Sequence, residues 1–322
     1  MAEPPMSVDI FCIGEPLAEF NATHGDGGYL FGFGGDTSNA AIAAARQGAS
    51  VGYVTALGDD EAGRAFRALW AREGVDATAV RTDPDAATGV YFVRHGEGGH
   101  AFSYMRSGSA ASRLTPRDIP FDLLRRARAL HVSGISQAIS TLACDAVFAA
   151  IEAARGAGAL VSYDSNLRLK LWPLARARAI IHAAMALCDI ARPGLEDARE
   201  LTGLSDPDAI TDFYLRLGAG IVALTLGREG ALVATPHERR RVTSIAVDFV
   251  DATGAGDCFD GAFLAEYLAT RDPFVAGRYA AVAAALSTRG FGAVAPIPRR
   301  AEVEAALRDT PFINKAPRSE VA

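Results

Sequence analysis

Short apolar runs alternate with segments of helical periodicity along most of the chain. Apolar runs of about four to eight residues are typical of strands buried on both faces of a sheet, and apolar residues three and four apart are typical of helices. The pattern predicts strands over residues 8–13, 51–57, 129–135, 159–164, 189–192 and 221–226. It predicts helices over residues 37–47, 61–73, 142–155, 174–187 and 206–217. We therefore expect an α/β fold of three layers, α/β/α, with helices on both faces of a mostly parallel central sheet.

Two segments, about 15–34 and 87–108, interrupt this alternation. They carry strand-like alternation and glycine pairs and lack a helical pattern, with strands expected at 90–93 and 101–104 around a glycine turn at 96–99. We expect a small β-sheet that acts as a lid on the remainder of a single domain, residues 1–322. The C-terminal third predicts a hairpin of 231–234 with 242–250, followed by two or three helices.

Composition narrows the class of protein. The chain has 322 residues, 50% hydrophobic and 22% charged, with a net charge of −6, which is enough for one large core. The longest basic run, Arg239–Arg241, predicts a solvated hairpin or loop, so we expect no nucleic-acid partner. The four cysteines form no C-x-x-C pattern, and no signal or membrane-spanning pattern is evident. These features predict a cytoplasmic protein with no membrane partner.

A glycine turn at 250–257 carries the strongest chemical signal. Gly254 and Gly256 permit a sharp bend that exposes backbone amides, and a helix start behind them adds partial positive charge. We predict an anion hole formed by Gly254, Ala255 and Gly256, with Asp257 as the base that takes a proton from an attacking hydroxyl. The structural alternative is an ordinary turn whose aspartate caps a helix. The sequence has no P-loop, and Gly32–Gly35 lacks the third glycine of a dinucleotide motif.

A second polar segment, residues 33–41, suggests sugar binding. Gly34 and Gly35 permit close approach of a ligand, Asp36 can accept from hydroxyls, and Asn39 can both donate and accept. The alternative is a glycine turn in which Asp36 or Thr37 caps the following helix.

Together these segments resemble the PfkB (ribokinase-like) family of sugar kinases. Residues 251–257 are similar to its D-T-x-G-A-G-D signature, and G-G-x-x-x-N-x-A at 34–41 followed by 54–63 is similar to its N-terminal signature. The resemblance extends from about residue 9 to residue 298. It implies a ribokinase-like fold and ATP with Mg²⁺ as cofactors, and it leaves open a monovalent cation near Asp251.

Within that family, residues 33–37, 104–110 and 131–140 resemble the 2-keto-3-deoxygluconate kinase branch. Residues 162–173 are shared with plant-type fructokinases and do not discriminate. The resemblance implies that the sugar acid contacts Gly34, Tyr91, Tyr104, Arg106 and Arg168. A guanidinium fork matches a carboxylate, although either arginine could also be a solvated surface residue. A neutral-sugar kinase such as fructokinase, and a non-catalytic sugar- or nucleotide-sensing protein, remain alternatives.

The resemblance also implies a nucleotide loop. The expected ATP-binding residues are Thr225, Leu226, Gly227, Arg228, Glu229, Gly230 and Asn166. The family's magnesium-linked N-x-x-E segment is altered to Gly194-Leu195-Glu196-Asp197, where Glu196 or Asp197 could still reach water-coordinated Mg²⁺. No adenine contact can be assigned. An exposed edge strand in the lid predicts a homo-oligomer formed through the lid.

Overall fold

The computed structural model describes residues 8–23, 27–96 and 99–310. Residues 97–98 of the expected glycine turn lie outside the described residues. The strands are β1 Ile10–Ile13, β2 Leu17–Ala22, β3 Tyr29–Gly34, β4 Val51–Gly58, β5 Val75–Asp76, β6 Val80–Asp83, β7 Gly89–Gly96, β8 Gly99–Met105, β9 Ala129–Ser133, β10 Leu160–Asp164, β11 Ile190–Arg192, β12 Ile221–Thr225, β13 Ala231–Ala234 and β14 Arg239–Val242. The helices are α1 Asp36–Arg46, α2 Glu61–Glu73, α3 Phe121–Leu124, α4 Gly134–Ala138, α5 Thr141–Gly156, α6 Leu174–Met185, α7 Leu195–Thr202, α8 Pro207–Leu217, α9 Ala255–Thr270, α10 Pro273–Ser287 and α11 Arg300–Asp309.

The main sheet has the order β14-β13-β12-β11-β10-β9-β1-β4-β5, with β6 also paired to β4. Pairing is parallel from β12 through β4, β5 and β6, whereas β12, β13 and β14 pair antiparallel. One apolar core joins this sheet to α1, α2, α9 and α10, and a second joins it to α5, α6 and α8. This is the ribokinase-like α/β/α arrangement, as predicted.

A second sheet, called here the small sheet, consists of β2, β3, β7 and β8 in the order β3-β2-β7-β8. Its outer pairs are antiparallel, and β2 and β7 in the middle are parallel. The sequence pattern therefore predicted its existence and its β7–β8 pair. Leu30, Phe31 and Met105 expose between 47% and 67% of their surface, so the small sheet presents apolar side chains to solvent.

Several boundaries differ from the predictions. The strand expected over 129–135 ends at Ser133, because the Ser133 side chain accepts from the Ser136 amide and starts α4. The strand expected over 242–250 is wrong. The chain pairs instead over Arg239–Val242, where Arg239 forms ion pairs with Asp208 and Asp212 and Arg240 lies over the Phe274 ring.

The packing of α1 against α9 prepares the candidate site. Gly261 of α9 is so close to α1 that a Cβ there would lie 2.1 Å from the Ala40 carbonyl oxygen. Glycine and alanine at the contact let the two helix axes approach. As a result the first turns of α1 and α9 lie side by side, with Asn39 bonded to Asp257 and with Asp36 bonded to Ser133 at the carboxyl end of β9. Among the described residues, no helix is long and apolar enough to span a bilayer.

Candidate active site

Helix α9 begins with exposed backbone donors. Gly254 precedes it with φ 76°, and a Cβ there would lie 2.9 Å from the Ala293 Cβ, so glycine is required. The amide of Ala255 donates to the Ala252 carbonyl at 3.1 Å. In the described part of the chain, no protein group accepts from the amides of Gly254, Gly256 and Asp257. Free amides at a helix N-terminus are suited to an anion.

Asp257 lies at the centre of the polar residues. Its Oδ2 accepts a hydrogen bond from Asn39 Nδ2 at 2.8 Å. Burial, together with the charges of Asp36 and Asp260, raises the pKa of Asp257 to about 8, while the hydrogen bond from Asn39 and the charge of Arg168 oppose this. A carboxylate with raised proton affinity is suited to accept a proton near neutral pH.

Two buried acceptors beside Asp257 lack a donor. The Oδ2 of Asp36 accepts from Ser133 and from Asn166 Nδ2, the latter at 3.1 Å. Within the described residues, Asp36 Oδ1 and Asn39 Oδ1 have no hydrogen-bond partner. Because buried polar atoms are nearly always paired, these two oxygens can accept hydrogen bonds from a water molecule or from a bound ligand.

Gly34 and Gly35 immediately precede α1 and pack closely against other residues of the protein. Gly35 has φ 104°, and a Cβ there would lie 2.5 Å from the Glu15 carbonyl oxygen. A Cβ on Gly34 would lie 2.5 Å from Tyr91 Oη. Neither position can therefore hold a side chain, because the Glu15 backbone lies close to Gly35 and the Tyr91 side chain lies close to Gly34.

The small sheet contributes aromatic and charged side chains. Tyr91 is buried and donates to Glu19, and its ring stacks on Tyr104 at 5.7 Å. The Arg106 guanidinium lies 5.8 Å from the Tyr104 ring and forms an ion pair with buried Glu15. Arg106 Nε is buried and has no hydrogen-bond partner among the described residues.

Arg168 and Asn166 follow β10. Arg168 is exposed and donates through Nη1 to the Leu167 carbonyl at 2.8 Å. Asn166 has φ 28° and hydrogen bonds to Asp36, as described above. Asn166, which was predicted to bind ATP, therefore lies next to Asp36, which was predicted to bind the sugar.

A cavity of about 720 Å³ adjoins the start of α9. Four residues of the predicted nucleotide loop line it, namely Thr225, Gly227, Arg228 and Gly230. Leu226 and Glu229 of that loop do not line it. Ala255 and Gly256 form part of its wall, so the cavity reaches the predicted anion hole.

Most of the remaining cavity wall was missed from the sequence. It consists largely of small or apolar residues in two segments, Ser244, Ile245, Ala246, Val247 and Phe249 before α9, and Ala281, Ala284, Ala285 and Thr288 of α10 and its end. The Arg228 guanidinium lies 5.0 Å from the Phe249 ring. No chemical signal distinguishes these alanines from core alanines. Only the position of α10 beside the glycine turn identifies them.

The altered acidic segment has a structural role. Asp197 accepts from the Leu167 amide at 2.8 Å and from Ser165 Oγ at 3.5 Å, and burial raises its pKa. Glu196 is exposed. Among the described residues, no group of three or more His, Cys, Asp or Glu side chains could hold a metal. The exposed Glu196 carboxylate is an oxygen donor of the kind that magnesium takes, and magnesium needs few protein ligands.

Comparison with known proteins identifies the family of the chain. The pfkB family carbohydrate kinase profile matches residues 8–300. A 2-dehydro-3-deoxygluconokinase of Thermoproteus tenax is 36% identical over 307 residues, covering 92% of this chain and 93% of that protein. Fructokinase-2 of Solanum habrochaites is 32% identical over 294 residues, covering 87% and 88%. The structure of a fructokinase from Vibrio cholerae O395 with fructose, ADP and calcium ion matches with a TM-score of 0.84 and 29% identity, covering 93% of this chain and 98% of that one.

Proposed function

The chain belongs to the pfkB family of carbohydrate kinases, and we propose that it phosphorylates 2-keto-3-deoxy-D-gluconate at its terminal hydroxyl. A sugar kinase of this family transfers a phosphoryl group from ATP to an alcohol. One observation chiefly supports the finer assignment. The start of α9, which carries the proposed base Asp257, adjoins the cavity of about 720 Å³ on one side and the polar residues Asp36 and Asn39 on the other, and Arg106 and Arg168 lie near these polar residues.

Asp257 is the proposed base. The terminal hydroxyl of the sugar would donate to the Asp257 carboxylate, which takes the proton as the oxygen attacks the γ-phosphorus. Its raised pKa makes it a better proton acceptor than an exposed aspartate. The Asn39 amide holds the carboxylate in one orientation.

The amides at the start of α9 would stabilise charge on the transferring phosphoryl group. We predicted Gly254, Ala255 and Gly256 for this role, and Gly254, Gly256 and Asp257 carry the free N–H groups. Donors fixed before the reaction stabilise developing charge without reorganisation. Nucleotide would occupy the adjoining cavity, with its phosphates directed toward these amides and its base against the alanines of α10.

The sugar would lie over Gly34, Gly35, Asp36 and Asn39. The oxygens of Asp36 and Asn39 that have no partner among the described residues would accept hydrogen bonds from its hydroxyls. Tyr91 and Tyr104 would bound it on the side of the small sheet, which acts as a lid and excludes water.

Arg106 and Arg168 would hold the carboxylate of the sugar acid. The Arg106 guanidinium lies beside the tyrosine stack and is paired with Glu15 through Nη2, and in this proposal the substrate carboxylate shares that guanidinium. Arg168 is exposed and electrostatically coupled to Asp257, so its charge is available to the substrate and to the reacting phosphate.

Magnesium would neutralise charge on the ATP phosphates when bound, with Glu196 or Asp197 as indirect ligands through water. A monovalent cation near Asp251 remains part of the proposal. The Asp251 carboxylate already accepts from Thr253 Oγ1 at 2.7 Å and from the Gly292 amide at 3.0 Å, which fixes that loop.

A homo-oligomer formed through the small sheet is also proposed. Exposed apolar side chains on the face of this sheet opposite Tyr91 and Tyr104 would be covered by a second copy; they are Tyr29, Phe31 and Met105.

The alternative within the family is fructokinase. One observation favours it: the charge of Arg106 is already balanced by Glu15, so the site does not carry a full unpaired positive charge there. The second alternative, a non-catalytic sensor of sugar or nucleotide, rests on the altered 194–197 segment.

An ADP-release assay with ATP and Mg²⁺ separates these possibilities. We expect rapid ADP release with 2-keto-3-deoxygluconate, slow release with fructose and background release without sugar, and phosphorus NMR should locate the phosphate on the terminal oxygen. ADP release that no sugar stimulates would establish a sensor. A preference for fructose would establish the neutral-sugar alternative.

A further inference from the structure

A buried ion pair lies directly beneath the start of α9. Arg192, the last residue of β11, donates through Nε to Asp260 Oδ1 and through Nη1 to the Ala223 carbonyl of β12. Arg192 and Asp260 are 3% and 1% exposed, so neither charge is solvated. Because burying two charges costs free energy that hydrophobic residues would not require, such a pair suggests a role beyond stability.

Arg192 also contacts the wall of the nucleotide cavity. Its guanidinium carbon lies 4.0 Å from the centre of the Phe259 ring, and Phe259 lines the cavity. Phe259 and Asp260 are consecutive residues of α9. The Arg192 guanidinium therefore contacts α9 through two consecutive side chains, those of Phe259 and Asp260.

The position of Asp260 relative to Asp257 links this pair to the reaction. Asp260 follows Asp257 by three residues in α9, so the two lie on the same side of the helix one turn apart. A shift of α9 about Arg192 would move Asp257 and the free amides together. A displacement of about 1 Å can lower a rate on the order of a hundredfold.

We propose that Arg192 is a positioning residue for phosphoryl transfer, which fixes the first turns of α9 against the carboxyl end of β11 with Asp260 as its counter-ion. This inference rests on the proposed function of Asp257. It adds a residue that touches neither sugar nor phosphate.

The charges around Asp257 make a second readout possible. Groups that interact electrostatically with Asp257 come from each neighbouring element, namely Asp36, Asp164, Arg168, Asp260, Tyr91 and Cys258. Asp260 is the one among them that Arg192 neutralises through a direct ion pair. The charge of Asp260 raises the pKa of Asp257, so loss of that charge should lower the pKa of the base.

The first test is Arg192→Lys. This change keeps a cation beside Asp260 but removes the hydrogen bond from the guanidinium to the Ala223 carbonyl and the stacking of the planar guanidinium on the Phe259 ring. We expect kcat to fall about tenfold, while KM for the sugar changes less than about twofold because no sugar contact is lost. The matched control is Arg128→Lys. Arg128 pairs with Asp9 and donates to the Leu268 carbonyl at the other end of α9, so its kcat should stay near that of the wild type.

The second test is Asp260→Asn, followed by the dependence of kcat on pH. Activity should rise with pH at a lower pH than in the wild type, because Asp257 loses a neighbouring negative charge. The proposal would be overturned if the pH midpoint of kcat in Asp260→Asn equals that of the wild type and kcat in Arg192→Lys is also unchanged.

Folding is controlled by the double variant Arg192→Met/Asp260→Leu, which leaves neither charge unpaired. If it folds and keeps the wild-type kcat, Arg192 is only structural and the proposal is wrong; a tenfold loss supports it. A wild-type protein without sugar-stimulated ADP release would instead reject the proposed function, since every variant is compared with an active wild type.

Discussion

The two halves of the proposed cleft differ in the polarity of their walls and in how much open space they contain. The proposed nucleotide half, lined by residues of the 225–230 loop, by residues 244–249 and by α10, is an open cavity of about 720 Å³ with mainly small and apolar walls. The proposed sugar half, around Asp36, Asn39 and Asp257, contains many polar atoms, two of which have no donor within the described residues. Asp257 stands at the junction of the two halves.

This difference indicates how each half selects its ligand. An apolar cavity binds a flat base through shape and burial, and it tolerates exchange of one apolar residue for another of equal size. A set of unpartnered acceptors rejects any ligand that does not supply donors in matching positions, because the acceptors would stay unpaired. Specificity for the sugar should therefore depend on few residues, and affinity for the nucleotide on many.

The largest expected effect is at the junction. Asp257→Asn keeps the shape of the side chain but removes the proton acceptor, so kcat should fall at least about 10²-fold with KM for both substrates little changed. Steady-state kinetics with sugar and ATP varied separately measures this. Asp59→Asn, at an aspartate that is 72% exposed, is the matched control. Near-normal turnover in Asp257→Asn would remove Asp257 from the role of base.

The next largest effect is in the sugar half. Arg106→Ala should lower kcat/KM for the sugar acid roughly 30-fold or more, and for fructose much less, because only the acid supplies a carboxylate. The variant leaves Glu15 without its cation, but burial has already raised the pKa of Glu15, so it can take up a proton instead. Arg125→Ala, at an exposed arginine, serves as the control. Equal losses for both sugars would argue against carboxylate binding.

A smaller effect is expected in the nucleotide half. Ala285→Leu adds volume to the cavity wall, so KM for ATP should rise about tenfold while KM for the sugar stays within about twofold. Ala157→Leu, on an exposed helix end, is the control. If the sugar KM changes as much as the ATP KM, the two halves are not separate.

The smallest effect concerns stability. The raised pKa of Asp257 means that the folded protein holds a proton that the unfolded chain, with an ordinary pKa of 3.8, releases. The resulting stability is present below pH 4 and is lost as the pH rises through about 8. Asp257→Asn should therefore melt roughly 2 °C higher than the wild type at pH 9, with a smaller difference at pH 5. Calorimetry at both pH values tests this, and equal differences would contradict it.

The sequence predicted the fold well where local signals were strong. The helix expected over 61–73 matches α2, because Asp60 caps its start and Gly74 ends it in the left-handed conformation. The two-residue strand β5 was missed because it is too short to show a period. The strand Arg239–Val242 was missed because three consecutive arginines hide its alternation, and their acidic partners are distant in sequence.

The site could be predicted only in part, for a similar reason. Asp257, Asp36 and Asn39 were predicted because carboxylates and amides beside glycines suggest chemistry on their own. The alanines of α10 and the Arg192–Asp260 pair carry no such signal, since their roles depend on which elements pack together. The polar residues of the site could thus be predicted from the sequence, whereas the apolar cavity wall and the buried Arg192–Asp260 pair could be identified only from the three-dimensional structure.

The ratio of kcat/KM for 2-keto-3-deoxygluconate to that for fructose, measured on the wild type with saturating ATP and Mg²⁺, tests the proposed function most directly. We expect the sugar acid to be preferred at least about tenfold, since one well-placed ionic contact contributes that much. A ratio below one would contradict a sugar-acid kinase and would identify the sugar half as a site for neutral sugars.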